Sequence, residues 1–68
     1  MTINLVVNGK LCQLETAATV SEYIALIGFD GRYVAVARNG DVLAREAFPY
    51  TTLAEGDCLE IVRPVGGG

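Results

Sequence analysis

Few groups in this 68-residue chain could do chemistry, and most can be set aside quickly. Histidine is absent, which removes the commonest general base and the commonest metal ligand. The two cysteines, Cys12 and Cys58, lie 46 positions apart and match no metal-ligand spacing. No catalytic residue and no metal site is therefore assigned. What remains is the end of the chain. Val65-Gly66-Gly67-Gly68 follows an apolar stretch, Cys58-Leu59-Glu60-Ile61-Val62, that reads as a final β-strand. Glycine has no Cβ and loses more freedom on ordering than any other residue, so such a tail adds nothing to a core. It reads as a thin arm that carries an α-carboxylate away from a folded body. Three residues extend about 10 Å at ~3.3–3.6 Å each, enough to thread into another protein's active site. The expected reactive group is the carboxylate of Gly68, with Val65, Gly66 and Gly67 as the inserted arm. The plain alternative is a frayed end or a cloning scar.

The rest of the chain must position that arm. With 51% hydrophobic residues and a mean hydropathy of +0.39, it is too apolar for a disordered chain. One small domain over residues 1–64 is expected, with residues 65–68 as a flexible tail. The formal charge of −3 and the lack of a basic run argue against nucleic acid as a partner. The N-terminus Met1-Thr2-Ile3-Asn4 lacks the cationic start and apolar core of a signal peptide. No apolar run approaches the ~20 residues of a membrane span. A cytoplasmic protein with reduced cysteines is the expectation, with both thiols acting as small hydrophobes in or beside a sheet. A redox pair is the alternative.

The elements follow from period and punctuation. Ile3, Leu5 and Val7 alternate along a first strand over residues 2–7. Asn8-Gly9 is a strong hairpin signal, with residues 11–14 returning. Thr19-Val20-Ser21-Glu22 fits a capping box. Val20, Tyr23, Ile24 and Ile27 then form one apolar helix face, and Gly28 stands at the expected left-handed cap. Residues 33–37 read as a strand, Asn39-Gly40 as a second turn, and residues 41–43 as a short return. Phe48-Pro49-Tyr50 breaks regular structure, its aromatics expected to plug one end of the core. Glu55-Gly56-Asp57 turns into the last strand, residues 58–62. The order describes an α+β roll with one helix on one sheet face.

These residues resemble a family. The strand order, the Asp30-Gly31-Arg32 run into Val34-Ala35-Val36, Asn39-Gly40, Arg45, Glu55-Gly56-Asp57 and the Val65-Gly66-Gly67-Gly68 end are together similar to the sulfur carriers of thiamine-thiazole biosynthesis. The similarity covers nearly the whole chain. The resemblance implies a ubiquitin-like β-grasp fold, with a mixed sheet and one main helix packed on one face. It implies that a ubiquitin-activating-type adenylyltransferase uses ATP to adenylate Gly68. A persulfide sulfur from a donor such as a cysteine desulfurase then displaces AMP. The resulting thiocarboxylate passes sulfur to thiazole synthase. No cofactor is bound, ATP being used by the activating partner, and the chain is a protein substrate rather than an enzyme.

By alternation, Leu59 and Ile61 should face the helix while Cys58, Glu60 and Val62 face out, with Val6 joining Val62 in an exposed patch. Val6, Val62 and Arg63 are the expected partner surface, although scattered exposed valines and a solvated arginine are the plain reading. Three other functions stay open. Pro64-Val65 resembles the small subunit of molybdopterin synthase, whose tail would sit in an enzyme partner. A ubiquitin-like interaction module needs no sulfur chemistry. A small thiol enzyme would use Cys12 or Cys58, but neither lies in a Cys-x-x-Cys motif and only Lys10, near Cys12, adds positive charge.

Overall fold

A computed structural model describes residues 2–63. Strands β1 (Ile3–Val7), β2 (Lys10–Leu14), β3 (Ala35–Arg38), β4 (Asp41–Val42) and β5 (Cys58–Val62) form one sheet in the order β2-β1-β5-β3-β4. β1 and β5 run parallel at its centre, and every other pair is antiparallel. This is the expected mixed sheet, and helix α1 (Val20–Leu26) covers one face.

Both hairpins turn on Asn-Gly. Asn8 and Gly9 have φ of 51° and 81°, and Asn39 and Gly40 have 52° and 89°, the paired positive values of a type I′ turn. Helix α1 begins as its sequence requires. The Thr19 hydroxyl accepts from the Glu22 amide at 3.1 Å, and the Glu22 carboxylate accepts from the Thr19 amide at 2.8 Å.

Leu5, Val20, Ile24, Val36, Leu53 and Leu59 are the most deeply buried side chains, and Ile61, Tyr23 and Phe48 complete the core around them. Ile3 packs at the margin. Three expectations need correction. Ile27 does not join the core: it caps the helix after Leu26 and is exposed, because the chain leaves helical geometry there. Tyr33 is not in a strand. The Asp30 carboxylate accepts from the Arg32 amide and starts a 3₁₀ turn over Gly31–Tyr33, which delays the strand to Ala35 and leaves Tyr33 exposed. Phe48-Pro49-Tyr50 is not irregular but ends a 3₁₀ helix, Arg45–Tyr50, in which Phe48 is buried and Tyr50 points to solvent.

Asp57 is the buried charge at the head of β5. Its carboxylate accepts from Arg38 Nε at 2.9 Å, Asn39 Nδ2 at 3.1 Å and the Ala54 amide at 2.8 Å. Burial alone would push this carboxyl up. The bonds from Arg38, Ala54 and Asn39, with the Arg38 charge, outweigh burial and hold it below the usual range. Glu55 is lowered by its bonds from Asn4, and Asp30 by Arg32 to about 2.

Two outcomes follow. Ile24→Ala, at a site only 1% exposed, is expected to cost ~2–5 kcal/mol in denaturant unfolding, a large part of the stability of so small a domain. Asp57→Asn turns one of the two accepting oxygens into an NH₂ that faces a donor, removes the charge opposite Arg38, and is expected to cost about 1.5–3 kcal/mol at pH 7. Because the folded carboxyl is lowered, its stabilisation is complete above the unfolded value of 3.8 and is lost as pH falls through the folded value. The gap between parent and variant should therefore shrink in acid. An equal gap at pH 7 and at pH 2.5 would refute this role for Asp57.

Candidate functional site

Strand β5 leads to Arg63, the last described residue, and so sets where the C-terminal segment departs. Its burial alternates: Leu59 and Ile61 are buried against α1, while Cys58, Glu60 and Val62 are exposed on the outer face. This alternation is as the sequence indicates. β3 pairs with β5 along nearly its whole length, from Ala35 opposite Val62 to Arg38 opposite Leu59. β1 pairs only at Val6–Cys58 and Val7–Leu59, since its chain then turns away.

Two asparagine side chains complete the ladder. Asn8 Nδ2 donates to the Ile61 carbonyl at 3.1 Å, and Asn8 Oδ1 accepts from the Ile61 amide at 2.9 Å. Asn39 Oδ1 accepts from the Cys58 amide at 2.9 Å while its Nδ2 serves Asp57. In the sequence both residues read only as turn formers. Asparagine rather than aspartate was the available signal, because an amide can donate and accept at once.

Among the described residues the outer face carries several exposed apolar side chains around Glu60. Leu11 lies opposite Val6, Val6 opposite Cys58, Ala37 opposite Glu60, and Val42 opposite Ala37. Leu11, Val42 and Val62 are 74%, 81% and 61% exposed. Val6 and Val62 share this face but do not touch in register: Cys58, the partner of Val6, and Val62 are four positions apart on β5, about 13 Å along the strand. The neighbour of Val6 is Cys58, and both line a shallow groove of about 440 Å³ between the two Asn-Gly turns. Arg63 lies elsewhere. Its guanidinium carbon stands 5.2 Å from the centroid of the Phe29 ring, and Phe29 packs against the core beyond the end of α1. The three expected surface residues thus divide between two sides of the domain. The Phe29 contact was not foreseen from sequence.

The cysteines stand apart. Cys12 lies opposite buried Leu5, and Cys58 opposite outward-facing Val6, so they point to opposite faces of the sheet. Both are free, and that geometry forbids a bond between them within the domain. Cys12 is half-buried as expected, whereas Cys58 is exposed rather than a packed hydrophobe. Burial, and then the neighbouring Cys12 sulfur, push the Tyr23 phenol up. Among the described residues no cluster of acidic or thiol groups could hold a metal ion. No described helix is long and apolar enough to cross a membrane. The expected arm, Val65, Gly66 and Gly67, and the expected attachment point, Gly68, lie outside the described residues.

With this geometry in hand, the chain is similar to proteins of known kind. A crystal structure of the thiamine biosynthesis protein ThiS from Geobacter metallireducens matches with a TM-score of 0.81 and 42% identity, covering 97% of this chain and 100% of that one. A solution structure of a thiamine biosynthesis protein from the same organism matches with a TM-score of 0.82 and 39% identity, over 97% of this chain and 88% of that one. Two curated relatives carry the name thiazole synthase. The one from Paramagnetospirillum magneticum is 35% identical over 97% of this chain, and the one from Magnetococcus marinus is 34% identical over 90%. The chain spans only about a fifth of the length of each, 20% and 19%. The sheet order and single helix are those of the ubiquitin-like β-grasp fold of the ThiS structures. The profile of the ThiS family covers residues 4–68, and with that match the chain belongs to the ThiS family.

Proposed function

We propose that this chain is a sulfur carrier of thiamine biosynthesis whose working group is the C-terminal carboxylate of Gly68. The family match carries the reading, because it runs through the glycine end and not only through the fold. Residues 1–64 act as the docking body and residues 65–68 as the arm. Gly68 lies five positions beyond Arg63, a reach of at most about 18 Å.

A carboxylate is ionised at neutral pH, with an ordinary pKa of about 3.3–3.7. It is a poor electrophile but attacks a phosphoryl group. In a chain ending at Gly68, an adenylating enzyme of the ubiquitin-activating type lets that oxygen attack the α-phosphate of ATP. Pyrophosphate leaves and an acyl-adenylate forms. The terminal sulfur of a persulfide, supplied by a donor such as a cysteine desulfurase, attacks the acyl carbon and AMP leaves. A second thiol cleaves the resulting acyl disulfide, releasing the thiocarboxylate and forming a disulfide on the donor side. Catalytic groups belong to the partners. The chain provides the attachment point, and glycines at 66–68 fit a narrow channel around the reacting carbonyl.

Thiazole synthase is the proposed acceptor. The two longer relatives of that name hold a segment like this one within a single chain, an arrangement that raises effective concentration for a pair that must meet. The same names favour thiamine biosynthesis over the molybdopterin pathway. The outer sheet face around Val6 and Val62 is the proposed docking surface, since apolar side chains stand exposed there. Ordering the arm costs roughly 1–2 kcal/mol per residue, which docking of the body must offset. Two free cysteines suit the reducing cytoplasm.

Replacing Cys12 and Cys58 together with Ser is expected to leave adenylation and thiocarboxylate formation largely intact, read by intact mass. Loss of the sulfur-bearing product in a double variant that still folds would make a thiol the sulfur site. Adding one residue after Gly68, or deleting Gly67 and Gly68, is expected to leave thermal stability unchanged within a degree or two. Both changes should abolish ATP–pyrophosphate exchange with the adenylating enzyme. Attack needs the reacting atoms roughly 3–3.5 Å apart, and one residue moves the carboxylate by about that distance. If either altered chain is activated as well as the parent, the carrier reading fails and an interaction module takes its place.

A further inference from the structure

The end of helix α1 is built to fix one aromatic ring. Gly28 takes φ of +87° after the cap at Ile27. The Gly28 amide donates to the Ala25 carbonyl at 3.1 Å and the Phe29 amide to the Ile24 carbonyl at 3.0 Å. Those are the two bonds of a Schellman motif, which carries an apolar residue at the position Phe29 occupies. Phe29 packs on the core from there, so its placement is tied through two backbone bonds to the buried helix. Over this ring stands the guanidinium of Arg63, 5.2 Å from the centroid. Arg63 immediately follows β5, whose last ladder pair is Val62 with Ala35. Beyond that pair the contact with Phe29 is the hold on the departing chain among the described residues.

From this geometry we propose that Phe29 is a positioning residue. Its ring clamps Arg63 and so fixes the last described residue before the segment that carries Gly68. The inference rests on the proposed role of Gly68. A cation over an aromatic face is attracted by the ring quadrupole, so the Arg63 side chain is held against the end of α1. A fixed Arg63 narrows the volume a carboxylate five positions further on must search for its reactive geometry. The outer sheet face that docks is on the other side of the domain and does not include Phe29. Loss of the clamp should therefore slow the adenylation step without weakening docking.

The test combines Phe29→Leu, which keeps an apolar group at the helix end, with Arg63→Gln, the double variant, and the ring-preserving Phe29→Tyr. Steady-state ATP–pyrophosphate exchange with the adenylating enzyme is measured for each. Phe29→Leu and Arg63→Gln are each expected to lower kcat about two- to five-fold, the scale of one exposed cation–π contact. KM for the carrier should stay within two-fold. The double variant should be no slower than the slower single one, and Phe29→Tyr should match the parent. In solution NMR, Phe29→Leu should shift the Arg63 side chain and the amides of residues 65–67 while leaving those of β1 in place. An effect of Arg63→Gln with none from Phe29→Leu would overturn the proposal, because Arg63 would then meet the partner directly. Losses that multiply in the double variant, or a loss confined to KM, would also overturn it. If the parent chain shows no exchange at all, it is the sulfur-carrier reading that fails. The NMR comparison then decides the clamp alone, and unmoved amides at 65–67 refute it.

Discussion

Strand β5 must be hydrogen-bonded on both edges although its parallel neighbour runs out after two register pairs, and the rest of the structure depends on how this is solved. A central strand with unpaired amides and carbonyls would cost about 1–3 kcal/mol for each buried group left open. β3 satisfies one edge. On the other, the Asp57 carbonyl takes the Val6 amide, the Leu59 carbonyl takes the Asn8 amide, and the Asn8 side chain takes both backbone groups of Ile61. The hairpin turn therefore does two things at once: it reverses β1 into β2 and extends the bonding of β5 past the point where β1 stops.

The mirror arrangement at the other end explains why a charge is buried in so small a domain. Asn39, in the second hairpin turn, bonds the Cys58 amide and also donates to Asp57. Asp57 in turn joins Arg38 on β3 to the Ala54 amide in the preceding loop. A carboxylate there must be fully partnered, since burial without partners would favour the neutral acid. With three donors the charged form wins. The beginning of β5 is then fastened both to the loop just before it and to the β3 end and turn some nineteen residues earlier.

Holding β5 in this way has functional consequences because it is the strand from which the C-terminal segment continues. Its inner residues, Leu59 and Ile61, lock it to the helix, which leaves Val62 and Cys58 on an outer face shared with Leu11, Val6, Ala37 and Val42 around Glu60. The proposed docking face and Arg63 are thus both set by one strand, and the division between them follows from its period of two. In the proposed role the chemistry stays with the partners while this body supplies recognition.

By itself the sequence determined the local pieces. Period-two runs marked the strands, Thr19 and Glu22 the helix start, Gly28 its end, and the Asn-Gly pairs both hairpins, since each signal acts within a few residues. It also determined which β5 residues face the helix, and the family's glycine end was legible as a motif. Tertiary structure decided what depends on distant partners. Ile27 fell outside the core because the helix stopped one residue earlier, and Tyr33 left its strand because Asp30 captured the Arg32 amide. Val6 met Cys58 rather than Val62 because the register of two parallel strands, joined only through the intervening chain, cannot be read from either alone. The roles of Asn8, Asn39 and Phe29 likewise appeared only in three dimensions. A side chain that bonds or stacks on a residue tens of positions away leaves no periodic trace in the sequence.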